Sequence, residues 1–323
     1  MSAAILVTGA TGFLGRRVCR LLDARGLDYT PTSLSLGTDL RDPAATDALF
    51  ARVKPRQLIN CAAFVGGIQF GIKRPAELFH HNLLMTLNLL QAATTHGVQR
   101  TVNPISNCAY PAAATYFQED AFWDGPLHES VMVYGFARKA SWMGAWAYHQ
   151  QHGLDVLNLV LSNMYGPDDH FEEERSHALG ALVMKIVRAQ QLGLPEVVVW
   201  GSGKPVREWL HVDDGAEALV RGLDAPPTLA PVNIGVGHGV SILETAQLIQ
   251  RLAGYTGRLV LDTSKPEGAP YKTVDGSRGA ALLGWRPSRD FEQGVAETIA
   301  WYRAHAFATT GAPATLETAD GHH

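Results

Sequence analysis

The sequence is poor in cysteine, and its cysteines form no pattern. Cys19, Cys61 and Cys108 are the only three in 323 residues, and they lie far apart. This odd and scattered set predicts neither a disulfide framework nor a zinc site. The histidines show no metal-ligand spacing either, so we expect no metal.

Long apolar runs and clusters of positive charge are also missing. No apolar run approaches the roughly 20 residues that span a bilayer. The formal net charge is -4, and no stripe of lysine and arginine accompanies it. These absences argue against a membrane or a nucleic acid as partner. The opening MSAAILVTGATG shows no basic, apolar and cleavable leader pattern, so we expect a cytoplasmic protein.

The first half of the chain alternates strand-like apolar runs with amphipathic helical stretches. The predicted strands are Ala4–Val7, Gln57–Cys61, Thr101–Ile105 and Val156–Leu161. The predicted helices are Phe13–Arg25, Leu83–Thr95 and a stretch from near Val133 to just before Gly153. This alternation is typical of βα units on a parallel sheet. We therefore expect an α/β fold with a Rossmann-type doubly wound parallel sheet.

The second half predicts further helices and strands in a looser rhythm. A helix over Ala181–Gln191 precedes a valine-rich strand that ends at Trp200. Ser241-x-x-Glu244 has the form of a capping box, in which the two side chains bond the free amides of a helix start. These elements predict a second, smaller lobe.

No repeat and no Pro/Gly-rich linker separates the halves, so we expect the two lobes to be interleaved. The dinucleotide-binding domain is expected over residues 1–165, with a returning segment near 211–238. Residues 166–210 and 239–308 are expected to form the substrate-binding lobe. Residues 309–323 are small and polar, which predicts a disordered tail.

A glycine pattern, Gly9-x-x-Gly12-x-x-Gly15, lies between the first strand and the first helix. Glycine permits a tight turn and lets the backbone approach a pyrophosphate, whose charge the helix N-terminus stabilises. A tight turn without a ligand is the alternative, but the strand–turn–helix context favours a dinucleotide. Phe13 and Leu14 are expected to line the same site.

The identity of the dinucleotide depends on the residues after the second strand. An acidic residue there would bond the ribose hydroxyls of NAD and repel the extra phosphate of NADP. The segment from Tyr29 to Ser35 has no acid. Its serines can bond a phosphate, and Arg16 or Arg17 can add charge, so NADP is favoured over NAD. Asp39-Leu40 fits a contact to the adenine; the alternative is a solvated loop aspartate.

Several motifs resemble segments of the GDP-L-fucose synthases, a group within the extended short-chain dehydrogenase/reductase (NAD-dependent epimerase/dehydratase) family. The matching segments are Cys61–Ile68, Ser106–Pro111, Asn163–Pro167, Ser176-His177, Val199–Gly203, Pro205–Asp214 and Lys265–Gly268. The resemblance runs from residue 4 to about residue 303. It implies a 3,5-epimerase/4-reductase that acts on a GDP-4-keto-6-deoxyhexose.

The resemblance assigns Ser106 and Tyr134 to the sugar C4 oxygen. In the family, the tyrosine donates a proton there as the nicotinamide delivers a hydride, or both steps run in reverse. A phenol with a pKa near 10 needs a neighbouring cation to work near neutrality. Without that context, Tyr134 could be an ordinary tyrosine at a helix start.

Epimerisation requires two further acid/base groups. A 4-keto group acidifies the protons on C3 and C5, and inversion needs proton removal on one face and return on the other. Cys108 and His177 match the family's pair, and a thiol and an imidazole both titrate within reach of pH 7. A lone cysteine at a strand end, or a lone histidine, would otherwise be a packing residue.

The resemblance also implies residues that bind the two ligands. Ala62, Ala63, Asn163, Tyr134 and Arg138 are expected at the cofactor. Asn107, Asn163, Lys185, Trp200, Arg207 and Lys272 are expected at the GDP-sugar. Arg207 offers a bidentate fork for a diphosphate, unless it pairs with Asp213 or Asp214; Trp200 could equally be a core residue. A homodimer through the helices near Leu83–Thr95 and Val133–His152 is implied too.

The chain departs from the family at the Tyr-x-x-x-Lys motif. It reads Tyr134-Gly135-Phe136-Ala137-Arg138-Lys139, with arginine at the lysine position and lysine about 100° further round the helix. Arg138 keeps the positive charge but hardly deprotonates, so it is a poor proton relay. Asn107 stands where the family usually has a second serine. These changes bear on the reductase step and leave Cys108 and His177 intact.

Three other functions stay open at this stage. The chain could be an epimerase only, or a GDP-hexose epimerase of the GDP-mannose type that oxidises and re-reduces C4 on a bound NAD. It could also be a non-catalytic protein that binds a cofactor. The presence of Ser106, Cys108, Tyr134 and His177 together disfavours the last of these.

Overall fold

A computed structural model of the chain describes residues 5–172, 175–265, 267–305 and 307. Its strands are β1 (Ile5–Thr8), β2 (Tyr29–Thr32), β3 (Gln57–Asn60), β4 (Arg100–Ser106), β5 (Val156–Leu161), β6 (Asn163–Tyr165), β7 (Glu196–Trp200), β8 (Val206–Arg207), β9 (Trp209–His211), β10 (Val232–Ile234), β11 (Val240–Ser241), β12 (Arg258–Asp262) and β13 (Tyr271–Lys272).

The helices are α1 (Phe13–Ala24), α2 (Pro43–Val53), α3 (Ile68–Lys73), α4 (Pro75–Thr95), α5 (Met132–His152), α6 (Ala178–Leu192), α7 (Val212–Arg221), α8 (Ile242–Ala253), α9 (Ser277–Leu283) and α10 (Phe291–His305). None of those in the described ranges combines the length and the apolar character that crossing a bilayer requires.

Six strands form a parallel sheet in the order β10-β5-β4-β3-β1-β2. All four residues of β1 and all six of β5 are buried, as expected for strands covered by helices on both faces. The order reverses beside β1, and ligands of such sheets bind in the crevice where it does so. The expected doubly wound α/β fold is confirmed.

A row of polar side chains crosses the buried sheet. Thr8 Oγ1 donates to Asn60 Oδ1 at 2.7 Å, Asn60 Nδ2 to Asn103 Oδ1 at 3.0 Å, and Asn103 Nδ2 to Asn158 Oδ1 at 2.9 Å. Buried amides are stable only when bonded, and this row bonds one strand to the next from β1 through β3 and β4 to β5. It therefore helps to fix the alignment of the strand ends that carry the site.

The second lobe is built on smaller sheets. β7 pairs in parallel with β12, and β8 lies between β11 and β13. Helices α6, α8 and α10 pack together around a second core. The predicted capping box is confirmed, since Ser241 accepts from the Glu244 amide and the Glu244 carboxylate accepts from that of Ser241. β10, within the expected returning segment, pairs with β5.

Several predicted boundaries differ from the structure. The helix expected over Leu83–Thr95 is α4, which begins eight residues earlier at Pro75, and α1 ends at Ala24. Helices α2 and α3 were not predicted. Ala4 and the tail at 309–323 lie outside the described residues. The extra turns of α4 carry charged and histidine side chains, so their apolar periodicity is weak, and Pro75 sets the start because proline suits a first helical position.

Candidate active site

One cleft of about 930 Å³ lies over the carboxyl ends of the central strands and reaches the second lobe. It brings together residues that are far apart in the sequence. The predicted site residues that line it are Gly9, Gly12, Phe13, Leu14, Asp39, Leu40, Ala62, Ala63, Ser106, Asn107, Cys108, Tyr134, Arg138, Asn163, His177, Arg207 and Lys272. Gly15, Lys185 and Trp200 are not among the described residues that line it.

The glycine loop has the shape that a dinucleotide requires. Gly9 has a φ of +62°, and a Cβ there would lie 2.5 Å from the Cys61 carbonyl oxygen. A Cβ on Gly15 would overlap the Gly9 carbonyl, so Gly15 packs α1 onto the loop instead of lining the cleft. Within the described residues no side chain caps α1 at Gly12. Its first amides are therefore free to bind an anion such as a pyrophosphate.

Three hydroxyls and one ion pair lie at the ribose end of this cleft. Thr11 Oγ1 is 3.0 Å from Ser33 Oγ and 2.8 Å from Ser35 Oγ. Arg41 donates to both oxygens of Asp39, at 2.8 and 2.6 Å, and these bonds hold the pKa of Asp39 below its usual range. Asp39 is thus a paired carboxylate that lines the cleft and keeps 38% of its side chain exposed.

The two arginines predicted near the cofactor phosphate have other contacts. Arg17 pairs with Asp168 at 2.8 Å and with Asp213 at 3.4 Å. Arg16 donates to the Thr11 carbonyl at 2.7 Å. Arg41, which the sequence reasoning missed, lines the same cleft as the three hydroxyls.

Ser106, at the end of β4, and Tyr134, in the first turn of α5, line the same cleft. A Cβ on Gly135 would overlap the Cys108 carbonyl oxygen, so the first turn of α5 lies directly on the Cys108 backbone. Burial raises the pKa of Tyr134, which Arg138 opposes and Cys108 reinforces. At neutral pH the phenol is therefore protonated, the form that can donate a proton.

Arg138 is the cation beside this phenol. Its guanidinium carbon lies 5.3 Å from the centroid of the Tyr134 ring, and it is 4% exposed. Lys139 points away, with its Nζ 5.1 Å from the Phe122 ring and 4.7 Å from the Trp123 ring. Burial in that aromatic surrounding lowers the pKa of Lys139. Successive side chains of a helix point about 100° apart, so Arg138 and Lys139 lie on different sides of α5.

Cys108 lies next to an ammonium group. Lys272 Nζ is 3.2 Å from Cys108 Sγ. Burial raises the pKa of the thiol, but the charge and hydrogen bond of Lys272, a hydrogen bond with Ser106 and the charge of Arg207 outweigh it, so the pKa lies below its ordinary value. Lys272 thus contacts the thiol, and the contact to a diphosphate that the sequence predicted for it stays a prediction.

His177 has a carboxylate partner of its own. Its Nδ1 is 3.2 Å from Asp169 Oδ1, and the Asp169 side chain is 1% exposed. Burial lowers the pKa of His177, but Asp169 outweighs it and Cys108 adds to the effect, so the pKa is raised. A Cβ on Gly67 would lie 2.6 Å from the Ser176 carbonyl oxygen. The Gly66-Gly67 loop therefore packs directly on the segment that carries His177.

Other polar groups reach the cleft from the second lobe and from the end of β4. Arg207 Nη2 donates to the Glu267 carbonyl at 3.1 Å, and burial lowers its pKa to about 10, which leaves it charged at neutral pH. The alternative pairing with Asp213 or Asp214 is not formed. Asn163 Nδ2 donates to the Glu208 carbonyl at 3.1 Å. Asn107 Nδ2 is buried and has no protein partner among the described residues.

Lys185 and Trp200 lie together inside the second lobe. Lys185 Nζ is 4.7 Å from the centroid of the Trp200 ring and 3.4 Å from the Val198 carbonyl oxygen. Lys265 lies over the same ring at 5.6 Å. Because α6 packs against β7, the lysine covers the tryptophan, and the structure does not bring this pair to the wall of the cleft with the other predicted residues.

Comparison with known proteins agrees with this site. The profile of the NAD dependent epimerase/dehydratase family matches residues 5–235, and the chain belongs to that family. Within it, the chain is 39% identical over 302 residues to "Putative GDP-L-fucose synthase 2" of Arabidopsis thaliana, which covers 93% of this chain and 92% of that protein. It is 34% identical over 312 residues to the GDP-L-fucose synthase of Escherichia coli K12, covering 92% and 96%.

A solved structure is similar along the same length. The crystal structure of a GDP-L-fucose synthetase from Naegleria fowleri bound to NADP has a TM-score of 0.85 and 30% sequence identity. The match covers 94% of this chain and 93% of that one. The comparisons thus confirm the resemblance to the GDP-L-fucose synthases that the sequence motifs indicated.

Proposed function

We propose that this chain is an NADPH-dependent 3,5-epimerase/4-reductase of the GDP-L-fucose synthase type, acting on a GDP-4-keto-6-deoxyhexose. One observation carries the proposal: a single cleft holds two acid/base side chains with charged partners of opposite sign. Cys108 lies beside Lys272, and His177 beside Asp169. Ser106 and Tyr134 line the same cleft, so epimerisation and reduction can share one bound sugar.

The cleft fits a dinucleotide, and NADP in particular. When bound, NADPH supplies the hydride that reduces C4. The residues proposed to hold it are Gly9, Gly12, Phe13, Leu14, Gly15, Asp39, Leu40, Ala62, Ala63, Tyr134, Arg138 and Asn163. The hydroxyls of Thr11, Ser33 and Ser35, with Arg41 close by, can bond the extra phosphate, and the Naegleria fowleri relative was solved with NADP.

Epimerisation falls to the thiol and the imidazole. Lys272 favours the thiolate of Cys108, which removes a proton from the carbon acidified by the 4-keto group. Asp169 favours the imidazolium of His177, which returns a proton on the other face. The partners thus assign the base and the acid, and the same pair acts at C3 and at C5.

Reduction falls to the hydroxyl groups at the start of α5 and the end of β4. Ser106 and Tyr134 bond the C4 oxygen, and Tyr134 donates its proton to that oxygen as C4 is reduced. Arg138 stabilises the phenolate that remains. Asn107 Nδ2, a buried donor with no described protein partner, can bond a sugar hydroxyl.

The nucleotide end of the substrate is proposed to lie against the second lobe. Arg207 and Asn163 are placed to bond the diphosphate, and Lys185 and Trp200 stay proposed contacts further along that lobe. We propose the division into a cofactor domain over 1–165 with 211–238, and a substrate lobe over 166–210 and 239–308. The cleft is lined from both parts, which supports this division.

A homodimer through α4 and α5 is also proposed. These helices pack against each other, and together they expose six large apolar side chains: Phe79, Leu87, Met132, Phe136, Met143 and Trp146. Phe79 and Phe136 stack at 6.2 Å on this face. A second copy of the chain would cover it. We propose a cytoplasmic location, since the three cysteines are free thiols and thiols persist in a reducing compartment.

The proposal is tested with GDP-4-keto-6-deoxymannose and NADPH in deuterated water. NADPH oxidation is followed by absorbance, and deuterium at C3 and C5 by NMR. Oxidation with deuterium at both carbons supports the bifunctional enzyme. Deuterium without oxidation would make the chain an epimerase only, and a lack of both signals would contradict the proposal and direct the next trial to GDP-mannose with NAD.

A further inference from the structure

Arg138 is a buried guanidinium without a carboxylate. It is 4% exposed, and no carboxylate of the described residues lies within ion-pair distance of it. Its Nε is buried without a described partner. Burying an unpaired charge is costly, so a buried arginine of this kind must be held by other groups and must serve the ligand side of the cleft.

The group that holds it is an amide on α4. Asn82 Oδ1 accepts from Arg138 Nη2 at 2.5 Å and also from the Phe64 backbone amide at 3.1 Å. Asn82 Nδ2 donates to the Phe64 carbonyl at 2.8 Å and to the Leu78 carbonyl at 2.7 Å. If the amide were flipped, Nδ2 would face the donors of Arg138 and Phe64, and Oδ1 would face the carbonyl oxygens of Phe64 and Leu78. The oxygen is therefore fixed toward Arg138.

We propose that Asn82 is a positioning residue whose fixed oxygen holds the Arg138 guanidinium against the Tyr134 ring, so that arginine can serve where the family motif has lysine. This rests on the proposed function, in which Tyr134 is the proton donor. The planar guanidinium can bond Asn82 with one nitrogen and still lie over the ring. A lysine ammonium is a compact point charge on a flexible stem and has no planar face to lay over the ring.

Through Arg138, Asn82 then acts on the reductase step. Cys108 and Arg138 are the two charged or titratable groups that influence Tyr134, and of these Asn82 touches only Arg138. Releasing Arg138 takes its positive charge away from Tyr134. That charge lowers the pKa of the phenol against the effect of burial, so the phenolate is less stable without it. Cys108 and His177 keep their own partners, Lys272 and Asp169.

The test is a double-mutant cycle of Asn82→Ala and Arg138→Met. We expect Asn82→Ala to lower kcat for NADPH oxidation about ten- to a hundredfold with KM nearly unchanged, a share of what general acid catalysis contributes. In the Arg138→Met background, Asn82→Ala should cost no more than about a further twofold. Deuterium exchange at C3 and C5 without NADPH should fall less than NADPH oxidation in each variant, and circular dichroism shows that each variant folds.

A second readout needs no cofactor. The 13C-ζ resonance of Tyr134, assigned with Tyr134→Phe, reports ionisation of the phenol. Asn82→Ala and Arg138→Met should each move its titration to higher pH, and the double variant no further than Arg138→Met. Multiplicative losses, an unmoved titration, or equal loss of exchange and reduction would overturn the proposal. Lack of exchange in the unmodified chain would instead count against the proposed function.

Discussion

Cys108 and His177 each lie next to one buried charged side chain, and these neighbours have opposite charges. Lys272 favours the ionised thiol, and Asp169 favours the protonated imidazole. The acid and the base of the epimerase pair can therefore coexist in their working forms near neutral pH. At the residue scale, the proposed chemistry therefore depends on these two contacts as well as on the acid/base residues themselves.

Replacing Lys272 with methionine tests the thiol contact. Loss of the ammonium group 3.2 Å from Cys108 Sγ raises the pKa of the thiol, so less thiolate is present at neutral pH. Deuterium exchange at C3 and C5 should fall about tenfold or more, and the acid limb of its pH profile should move to higher pH. The matched control is Lys204→Met, since Lys204 is an exposed lysine of the same lobe.

The pH profile separates this role from the one predicted by sequence. If Lys272 only bound the diphosphate, Lys272→Met would raise KM and leave the limb in place, and that result would contradict the account.

Most of the residues that the sequence predicted for the site line the cleft, but several of their partners were missed. Ser106, Cys108, Tyr134 and His177 belong to recognisable motifs. Asn82 contacts Arg138 from 56 residues away, which no local pattern records. Asp169 and Arg41 lie near His177 and Asp39 in the sequence, but no motif distinguishes them from other polar loop residues. Trp200 lies in one of the matching motifs and Lys185 in none, and the packing of α6 on β7 pairs the two with each other.

At the scale of elements, the first turn of α5 decides how the two catalytic sets meet. Gly135 lets this turn rest on the Cys108 carbonyl, and Tyr134 and Arg138 lie on the same helix. The reductase tyrosine is thus placed by the same contact that positions the epimerase cysteine.

Replacing Gly135 with alanine should move the first turn of α5 away from the Cys108 carbonyl. Alanine favours a helix over glycine, but its Cβ would overlap the Cys108 carbonyl oxygen, so the turn or the loop must move. Displacements of about 1 Å can cost about a hundredfold in rate, and we expect losses of that order in both NADPH oxidation and deuterium exchange.

Gly144→Ala is the matched control in the same helix. Its Cβ would meet only the end of the Leu90 side chain, which can turn aside, so full activity is expected. Unchanged activity of Gly135→Ala in both assays would contradict the importance of this contact.

Elements were predicted well where local signals are strong. The buried β5 has the predicted bounds, and the capping box at Ser241 starts α8. α2 was missed although Asp42 caps it, accepting from the amides of Ala44 and Ala45, and Pro43 occupies its first position. The apolar periodicity of α2 is short, so no recognisable helical pattern follows the capping residues.

At the scale of the whole molecule, a buried histidine lies where the two lobes join. His211 ends β9, caps α7 and is 2% exposed. Its ring meets Tyr165 edge-on at 5.3 Å. Burial lowers the pKa of His211 to about 4; Asp213 opposes this, and Arg289 and Arg17 add to it. Glu297 also faces the ring, 3.8 Å from Nε2.

This histidine predicts an acid-sensitive junction. The pKa of His211 is about 6.5 in the unfolded chain, above its value in the folded protein. The stability that comes from keeping this ring neutral is therefore fully present above about pH 6.5. It is lost as pH falls toward 4, and linkage makes the loss of the order of 3 kcal/mol. His211→Asn keeps a helix-capping side chain without the titration. Denaturant unfolding should therefore show a shallower loss of stability in the variant between these pH values, and equal slopes would contradict the prediction.

The central claim is that one cleft carries two separable steps, proton exchange by Cys108 and His177 and reduction at Tyr134. The most direct measurement follows deuterium exchange and NADPH oxidation together in Tyr134→Phe and Cys108→Ser. The account predicts that Tyr134→Phe keeps exchange and loses reduction, whereas Cys108→Ser loses exchange. Loss of both in Tyr134→Phe, or undiminished exchange in Cys108→Ser, would contradict it.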